Sequence, residues 1–221
     1  MDERSFLEET QRQVASGRRV DALVAVYFEG GGVRIENAAD GMTRLFYAAR
    51  RGWCSAITRL LEQGADVNAG WPALHGWTPL HDAAYRGQHD AAVLLLGADA
   101  RVDEINRYGE TALHFAAEHN HPKMCKLLLS RGASLDVRAN NGEDPEARAL
   151  RLGRTATADL LAAVRAAGGW RPYCTAQFLE LRRELRAPGA VAESSERLYE
   201  RVFVELPNDV FPRVLAFRPD F

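Results

Sequence analysis

Gly76-Trp77-Thr78-Pro79-Leu80-His81-Asp82-Ala83-Ala84 returns 33 residues later as Gly109-Glu110-Thr111-Ala112-Leu113-His114-Phe115-Ala116-Ala117. One unit upstream, at an offset of 35, stands Gly41-Met42-Thr43-Arg44-Leu45-Phe46-Tyr47-Ala48-Ala49. One unit downstream, again at 33, stands Gly142-Glu143-Asp144-Pro145. Apolar runs keep step with these tracts: Leu60–Leu61, Leu94–Leu96, Leu127–Leu129 and Leu160–Leu161. Two tracts locked to one period identify an array of stacked supersecondary units.

The residue types at each place in the period have physical reasons. Thr43, Thr78, Thr111 and Asp144 stand where a side-chain oxygen caps the unpaired N–H groups of a new helix. Pro79 and Pro145 follow at the first helical position, where a missing N–H costs nothing. The Ala-Ala pairs let this helix pack closely against the next repeat. Gly52, Gly87 and Gly153 end it, at a place that calls for positive φ. The leucine run supplies the apolar side of a second helix. Gly64-Ala65-Asp66-Val67-Asn68 and Gly132-Ala133-Ser134-Leu135-Asp136 then turn the chain outward. One such unit cannot bury its own apolar face, so only the stack is stable.

Departures from the period carry information as well. Two extra residues within Ala69-Gly70-Trp71-Pro72-Ala73-Leu74-His75 enlarge the first loop tip. Asp99 stands at the left-handed position that Gly64 and Gly132 fill elsewhere, a conformation Asp tolerates less well than Gly. Asn120 replaces the helix-ending glycine, and Glu146 and Ala147 replace the expected Leu and His in the last unit. Those two replacements suit a terminal, partly exposed repeat.

The pattern resembles the ankyrin repeat over about residues 41–165, and the tract from Thr78 to Ala84 carries that resemblance most specifically. It implies an all-α fold: an ankyrin-repeat solenoid of stacked helix-turn-helix units with short β-hairpin or turn loops, plus C-terminal helices. The expected organisation is an N-terminal helical segment at 1–40, repeats at 41–75, 76–108 and 109–141, a degenerate capping repeat at 142–170, and a C-terminal helical extension at 171–221. Val14-Ala15-Ser16-Gly17, Leu23 to Phe28 and Gly30-Gly31-Gly32-Val33 read as a possible divergent capping repeat. In the family the motif histidine, here His81 and His114, orients the loop between repeats through hydrogen bonds.

The resemblance also implies where a partner meets the scaffold: the hairpin tips and the concave side of the first helices. Mapped onto this chain, those positions are Met42, Tyr47, Arg50 and Arg51, then Leu74, His75, Trp77, Asp82, Tyr85 and Arg86. The next unit offers Ile105, Arg107, Tyr108, Glu110, Phe115, Glu118 and His119, and the last tip Asn140, Asn141 and Glu143. Aromatic residues and arginine recur among them, the types enriched at binding hot spots. Trp77, Tyr85, Arg107 and Tyr108 are expected to point outward, away from the stacked core.

Beyond the repeats, Gly168-Gly169-Trp170-Arg171-Pro172 ends the solenoid, and Thr175 to Arg186 spaces Phe178, Leu179, Leu181 and Leu185 as an amphipathic helix. Ala187-Pro188-Gly189-Ala190 reads as a linker, and Ser194 or Ser195 as the cap of a helix carrying Leu198, Val202 and Phe203. The stretch Leu206 to Phe217 has an LPxD…VLxF pattern that resembles the first helix of an F-box, carried by Leu206, Pro207, Asp209, Val210, Val214, Leu215 and Phe217. Such a segment implies docking onto a ubiquitin-ligase adaptor. Against it, Pro212 would interrupt that helix, and the chain stops at Phe221, short of a three-helix module. The alternative is a helical cap over the apolar face of the last repeat.

Composition bounds the remaining classes. The chain has 221 residues, 47% of them apolar, and a net charge of −2, so no membrane or nucleic acid partner is expected. No stretch approaches the ~20 apolar residues that span a bilayer, and the charged start Met1-Asp2-Glu3-Arg4 lacks a secretory apolar core. The basic doublets at Arg18, Arg50 and Arg182 do not extend into a phosphate-binding stripe. Cys54, Cys125 and Cys174 are too few and scattered for a disulfide framework, which points to a reducing compartment, cytoplasmic or nuclear. No phosphate loop, nucleophile elbow or zinc spacing occurs, so no catalytic residue, cofactor or metal is expected. The expected function is a monomeric, non-catalytic adaptor for an unidentified protein. A ubiquitin-ligase substrate receptor is the second reading, and an enzyme with an undetected site is the third.

Overall fold

Each of the four motif tracts opens a helix in the computed structural model, which describes residues 2–20, 24–29, 32–37 and 42–185. In chain order, α1 (Glu3–Ala15) and the strands β1 (Val24–Glu29) and β2 (Gly32–Asn37) precede four helix pairs. These are α2 (Arg44–Arg51) with α3 (Cys54–Glu62), α4 (Pro79–Arg86) with α5 (His89–Gly97), α6 (Ala112–Glu118) with α7 (Pro122–Ser130), and α8 (Pro145–Arg151) with α9 (Thr155–Ala166). A further helix, α10, runs Trp170–Leu185. The chain forms two compact units, Met1–Ala158 and Asp159–Phe221, with their boundary inside α9.

The first helices α2, α4, α6 and α8 stack side by side, and the second helices α3, α5 and α7 form a layer behind them. The expected all-α solenoid is present across the repeats. All six alanines of the Ala-Ala pairs, Ala48, Ala49, Ala83, Ala84, Ala116 and Ala117, are fully buried between neighbouring units. Ile57, Leu60, Leu95 and Leu128 fill the space between the two layers. The caps fall where the motif places them. Thr43 Oγ1 accepts from the Phe46 N–H at 3.1 Å, and Asp144 Oδ1 from the Ala147 N–H at 2.8 Å.

Gly52, Gly87 and Gly153 end their helices at φ near 68°, 68° and 66°. At Gly87 a second constraint operates, because a Cβ there would lie 2.9 Å from the ring of His121 in the next repeat. The His121 ring uses that closeness to donate from Nε2 to the Tyr85 carbonyl at 3.2 Å. Asp99 and Asn120 take the left-handed conformation without glycine, at φ 62° and 55°. Replacing exposed Asp99 by Gly is therefore expected to stabilise the protein by about 0.5–1 kcal/mol. Denaturant midpoints of the two proteins check this, and an unmoved midpoint would count against stored strain.

The motif histidines tie one repeat to the next. His81 Nδ1 accepts from the Thr78 N–H at 3.0 Å, so its Nε2 carries the proton and donates to the Glu110 carbonyl at 3.0 Å. His114 repeats the arrangement with Thr111 at 3.1 Å and the Glu143 carbonyl at 3.2 Å. Burial pushes His81 down to about 4 and lowers His114 as well. The unfolded imidazole titrates near 6.5, so between that value and 4 the unfolded chain binds more protons than the folded one. Stability is complete above about pH 6.5 and falls as the pH drops toward 4. His81 alone is expected to remove about 2 kcal/mol by about pH 5. Urea midpoints followed from neutral to mildly acid pH measure it; a flat profile would mean that the ring is not held neutral.

The loop tips are also joined. The Arg107 N–H donates to the His75 carbonyl at 2.9 Å, and one repeat later the Asn140 N–H donates to the Tyr108 carbonyl at 2.8 Å. The longer first tip folds a short 3-10 turn at Pro72–Leu74, closed by Trp71 N–H to Trp77 carbonyl at 2.7 Å.

Two expectations outside the repeats need correction. The segment before residue 41 does not form a helix-turn-helix repeat. Its α1 is followed by an antiparallel strand pair in which Val24 faces Asn37 and Glu29 faces Gly32. Val24, Val26, Tyr27 and Phe28, then Val33 and Ile35, are β-branched or aromatic around a glycine turn, which favours a hairpin over a second helix. At the other end α10 begins at Trp170, five residues before the expected Thr175. Gly168 and Gly169, at φ 81° and 123°, break the chain first, and Pro172 then sits in an opening turn where its missing N–H is harmless. The linker from Ala187, the helix expected after Ser194 and the segment Leu206 to Phe217 lie outside the described residues.

Helix α1 caps the first repeat. Phe6 is fully buried, with its ring 5.4 Å from those of both Tyr47 and Trp53. Glu3 Oε1 accepts from the Ala56 N–H at 2.6 Å, satisfying an open donor in the first turn of α3. Arg44, fully buried at the place Pro79 takes in the next unit, donates to Gln13 Oε1 at 2.8 Å and to the Arg19 and Val20 carbonyls.

Candidate protein-binding face

Stacking at a fixed period places equivalent residues in rows across the first helices. One row is Tyr47, Asp82, Phe115 and Arg148, and all four are buried. That corrects the expectation that Tyr47, Asp82 and Phe115 face a partner. Tyr47 packs beneath Phe6, and Phe115 lies 4.2 Å from Trp77 and 5.9 Å from His81, ring to ring. Asp82 is 2% exposed and bridges Arg86 at 3.0 Å. Burial raises its carboxyl, while Arg86 and Arg50 pull it back down.

Three acids expected as contacts are engaged within the chain. Arg148 Nη1 reaches Glu110 Oε1 at 2.7 Å and Glu118 Oε2 at 3.3 Å, and its Nε lies 3.5 Å from Glu143 Oε2. Arg151 also bonds Glu143, and that bond, with help from Asn141, holds the Glu143 carboxyl down at about 2. Glu110, Glu118 and Glu143 thus have strong partners within the chain. Arg148 escaped the sequence reading. Its signal was a charged residue at the row position that Asp82 and Phe115 occupy in earlier repeats.

What stays accessible is an aromatic and cationic surface. Trp77, half-buried, lies 5.4 Å from Tyr85, and Tyr85 lies 4.1 Å from His119. Arg86 sits over Tyr85 at 5.9 Å, and Arg50 over Trp71 at 6.0 Å. Trp71 was not singled out from sequence, although the enlarged tip that holds it was. Along the tips, Ile105 is 54% and Tyr108 48% exposed, unusual for large apolar side chains. Tyr108 rests on His75 at 4.7 Å, with exposed Arg107 beside it. Leu74 is half-buried on the 3-10 turn. Exposed Asn140 spends its side-chain amide on the Arg107 carbonyl at 3.0 Å, and Asn141 donates to Glu143 Oε2 at 2.9 Å. Half-buried Met42 precedes the first cap.

Among the described residues no group of three or more His, Cys, Asp or Glu side chains is placed to hold a metal ion. No described helix is long and apolar enough to cross a membrane.

Comparison with known proteins places the array. The family described as "Ankyrin repeats (many copies)" matches residues 45–96 and 80–129. Human "Ankyrin repeat and KH domain-containing protein 1" is 37% identical over 105 residues, 47% of this chain and 4% of that protein. Human "Ankyrin repeat and SOCS box protein 3" is 34% identical over 101 residues, 44% of this chain and 19% of its own length. "Protein phosphatase 1 regulatory subunit 12A" of Mus musculus is 34% identical over 84 residues, 38% of this chain and 8% of that protein. The chain spans less than a fifth of the length of each of these relatives.

Proposed function

Since residues 45–129 belong to the ankyrin-repeat family, we propose that this chain is a non-catalytic adaptor that binds another protein through its loop tips and inner helix face. The observation that carries this reading is the exposed cluster of Ile105, Arg107 and Tyr108 on a tip whose backbone is fixed by bonds to both neighbouring tips. A rigid support beneath accessible aromatic, apolar and guanidinium groups limits the entropy lost on binding. The adaptor acts as a monomer in a reducing compartment, cytoplasm or nucleus, where Cys54 and buried Cys125 remain thiols.

Alanine at Ile105, Arg107 or Tyr108 tests this. Each variant is expected to keep its folding stability within about 0.5 kcal/mol. At a hot spot, each loses more than about 2 kcal/mol of partner affinity. The measurement pairs urea unfolding with recovery of the partner from native lysate, identified by mass spectrometry. Three folded variants that all retain the partner would place the contact elsewhere. Trp77 is unsuitable for this test, because its ring packs against that of Phe115 at 4.2 Å and truncation would disturb the fold.

The second reading, docking onto a ubiquitin-ligase adaptor through Leu206 to Phe217, rests on the LPxD…VLxF sequence there. Alanine at Leu206 and Leu215 tests it: the reading requires that they abolish adaptor recovery and leave the tip-dependent partner in place.

A further inference from the structure

Charge is unevenly placed along the inner face. In its second half the three carboxylates Glu110, Glu118 and Glu143 all meet Arg148, and Glu143 meets Arg151 as well. In the first half Asp82 is ion-paired with Arg86 and feels the charge of Arg50 as well, while Arg51 follows Arg50 at the end of α2. Asp82 is buried against Arg86. That leaves Arg50 and Arg51 with no carboxylate within ion-pair distance among the described residues. Each lies over a ring, Arg50 over Trp71 at 6.0 Å and Arg51 over Trp53 at 5.4 Å. Such contacts orient a guanidinium and leave its charge intact for a ligand. The two cations are consecutive residues at the end of α2.

We propose that the first half of the inner face docks an acidic peptide segment whose carboxylates meet Arg50 and Arg51 and whose apolar side chains lie on Trp71, Trp77 and Tyr85. This rests on the reading that the array binds a protein, and it adds the chemistry of the segment recognised. Charge complementarity selects the occupant: two cations that lack an ion-paired carboxylate among the described residues, beside an aromatic floor, match a short run of Asp or Glu mixed with aliphatic or aromatic residues. A nucleic acid fits less well, because the −2 net charge of the chain repels a long polyanion.

The test is selection of a random peptide library on the intact protein, followed by titration of the recovered peptides. Sequences rich in Asp and Glu with interspersed apolar residues are expected. Their affinity falls about tenfold or more in an Arg50→Glu/Arg51→Glu double variant, and falls again with rising salt. Circular dichroism melts establish that this variant is folded. Recovery of neutral or basic sequences, or of none, overturns the proposal, as does affinity unmoved by the double substitution. An oligothymidylate that competes as well as the peptides would also overturn it, by making the site a general polyanion surface. None of these failures touches the tip variants, so the adaptor reading stands or falls separately.

Discussion

Exchange of Arg148 for methionine is expected to lower the stability of the protein by about 3–5 kcal/mol, the range for removing one side of a buried ion pair. The side chain of Arg148 is 4% exposed, whereas those of Glu110, Glu118 and Glu143 keep 16%, 35% and 20%. Methionine conserves much of the packing volume, so the loss reports the charge. Three carboxylates converging without their central cation repel one another, and among the described residues only Glu143 retains a cationic partner, in Arg151. The acids of the variant then prefer to be protonated in the folded state. Its deficit against the parent should therefore shrink as the pH falls through the carboxylate range. Urea melts of both proteins across that range measure the effect. A deficit below about 1 kcal/mol, or one independent of pH, would mean that the cluster behaves as a solvated surface network.

Phe6→Ala is expected to cost a similar amount, about 3–5 kcal/mol for a large buried aromatic. Its ring lies between Tyr47 and Trp53, and its removal opens a cavity under α1 that the fixed first repeat cannot close. The damage should be local. Hydrogen exchange is expected to rise in α1, α2 and α3 and to stay near the parent level in α6 and α7, since each repeat of a solenoid contacts only its neighbours. An equal rise throughout would show that the array unfolds as a single block. A negligible loss of stability would show that α1 is not a cap.

Much of this architecture is legible in the sequence, and the reason is its periodicity. Thr78, His81 and Gly87 do their work within one unit or between adjacent units, so a repeated tract announces each role. The cluster around Arg148 was not legible in the same way. Glu110 and Glu118 stand 38 and 30 residues before it, and only stacking brings them to one guanidinium. The same limit applies to Tyr47, Asp82 and Phe115. Family register places them on the inner side of their helices, but burial depends on what the neighbouring unit or α1 lays over them. The N-terminal hairpin was missed for a different reason. Its apolar run falls in the period of its neighbours, whereas its β-branched composition favours strands. Trp71 was passed over because it belongs to the insertion, which the period cannot index.

The contact of Glu3 with Ala56 sets an order of events at the ribosome. Helix α1 is synthesised early, yet the surfaces it covers belong to later residues: β2, Arg44, Tyr47, Trp53 and the opening turn of α3. At translation speeds of about 5–20 residues per second, α1 waits a few seconds for its seat to emerge. Through that interval Phe6 and Leu7, both buried in the finished protein, face water. Nascent chains are thus open at this helix to holding factors and to premature association, and completion of the second helix of the first repeat ends the exposure.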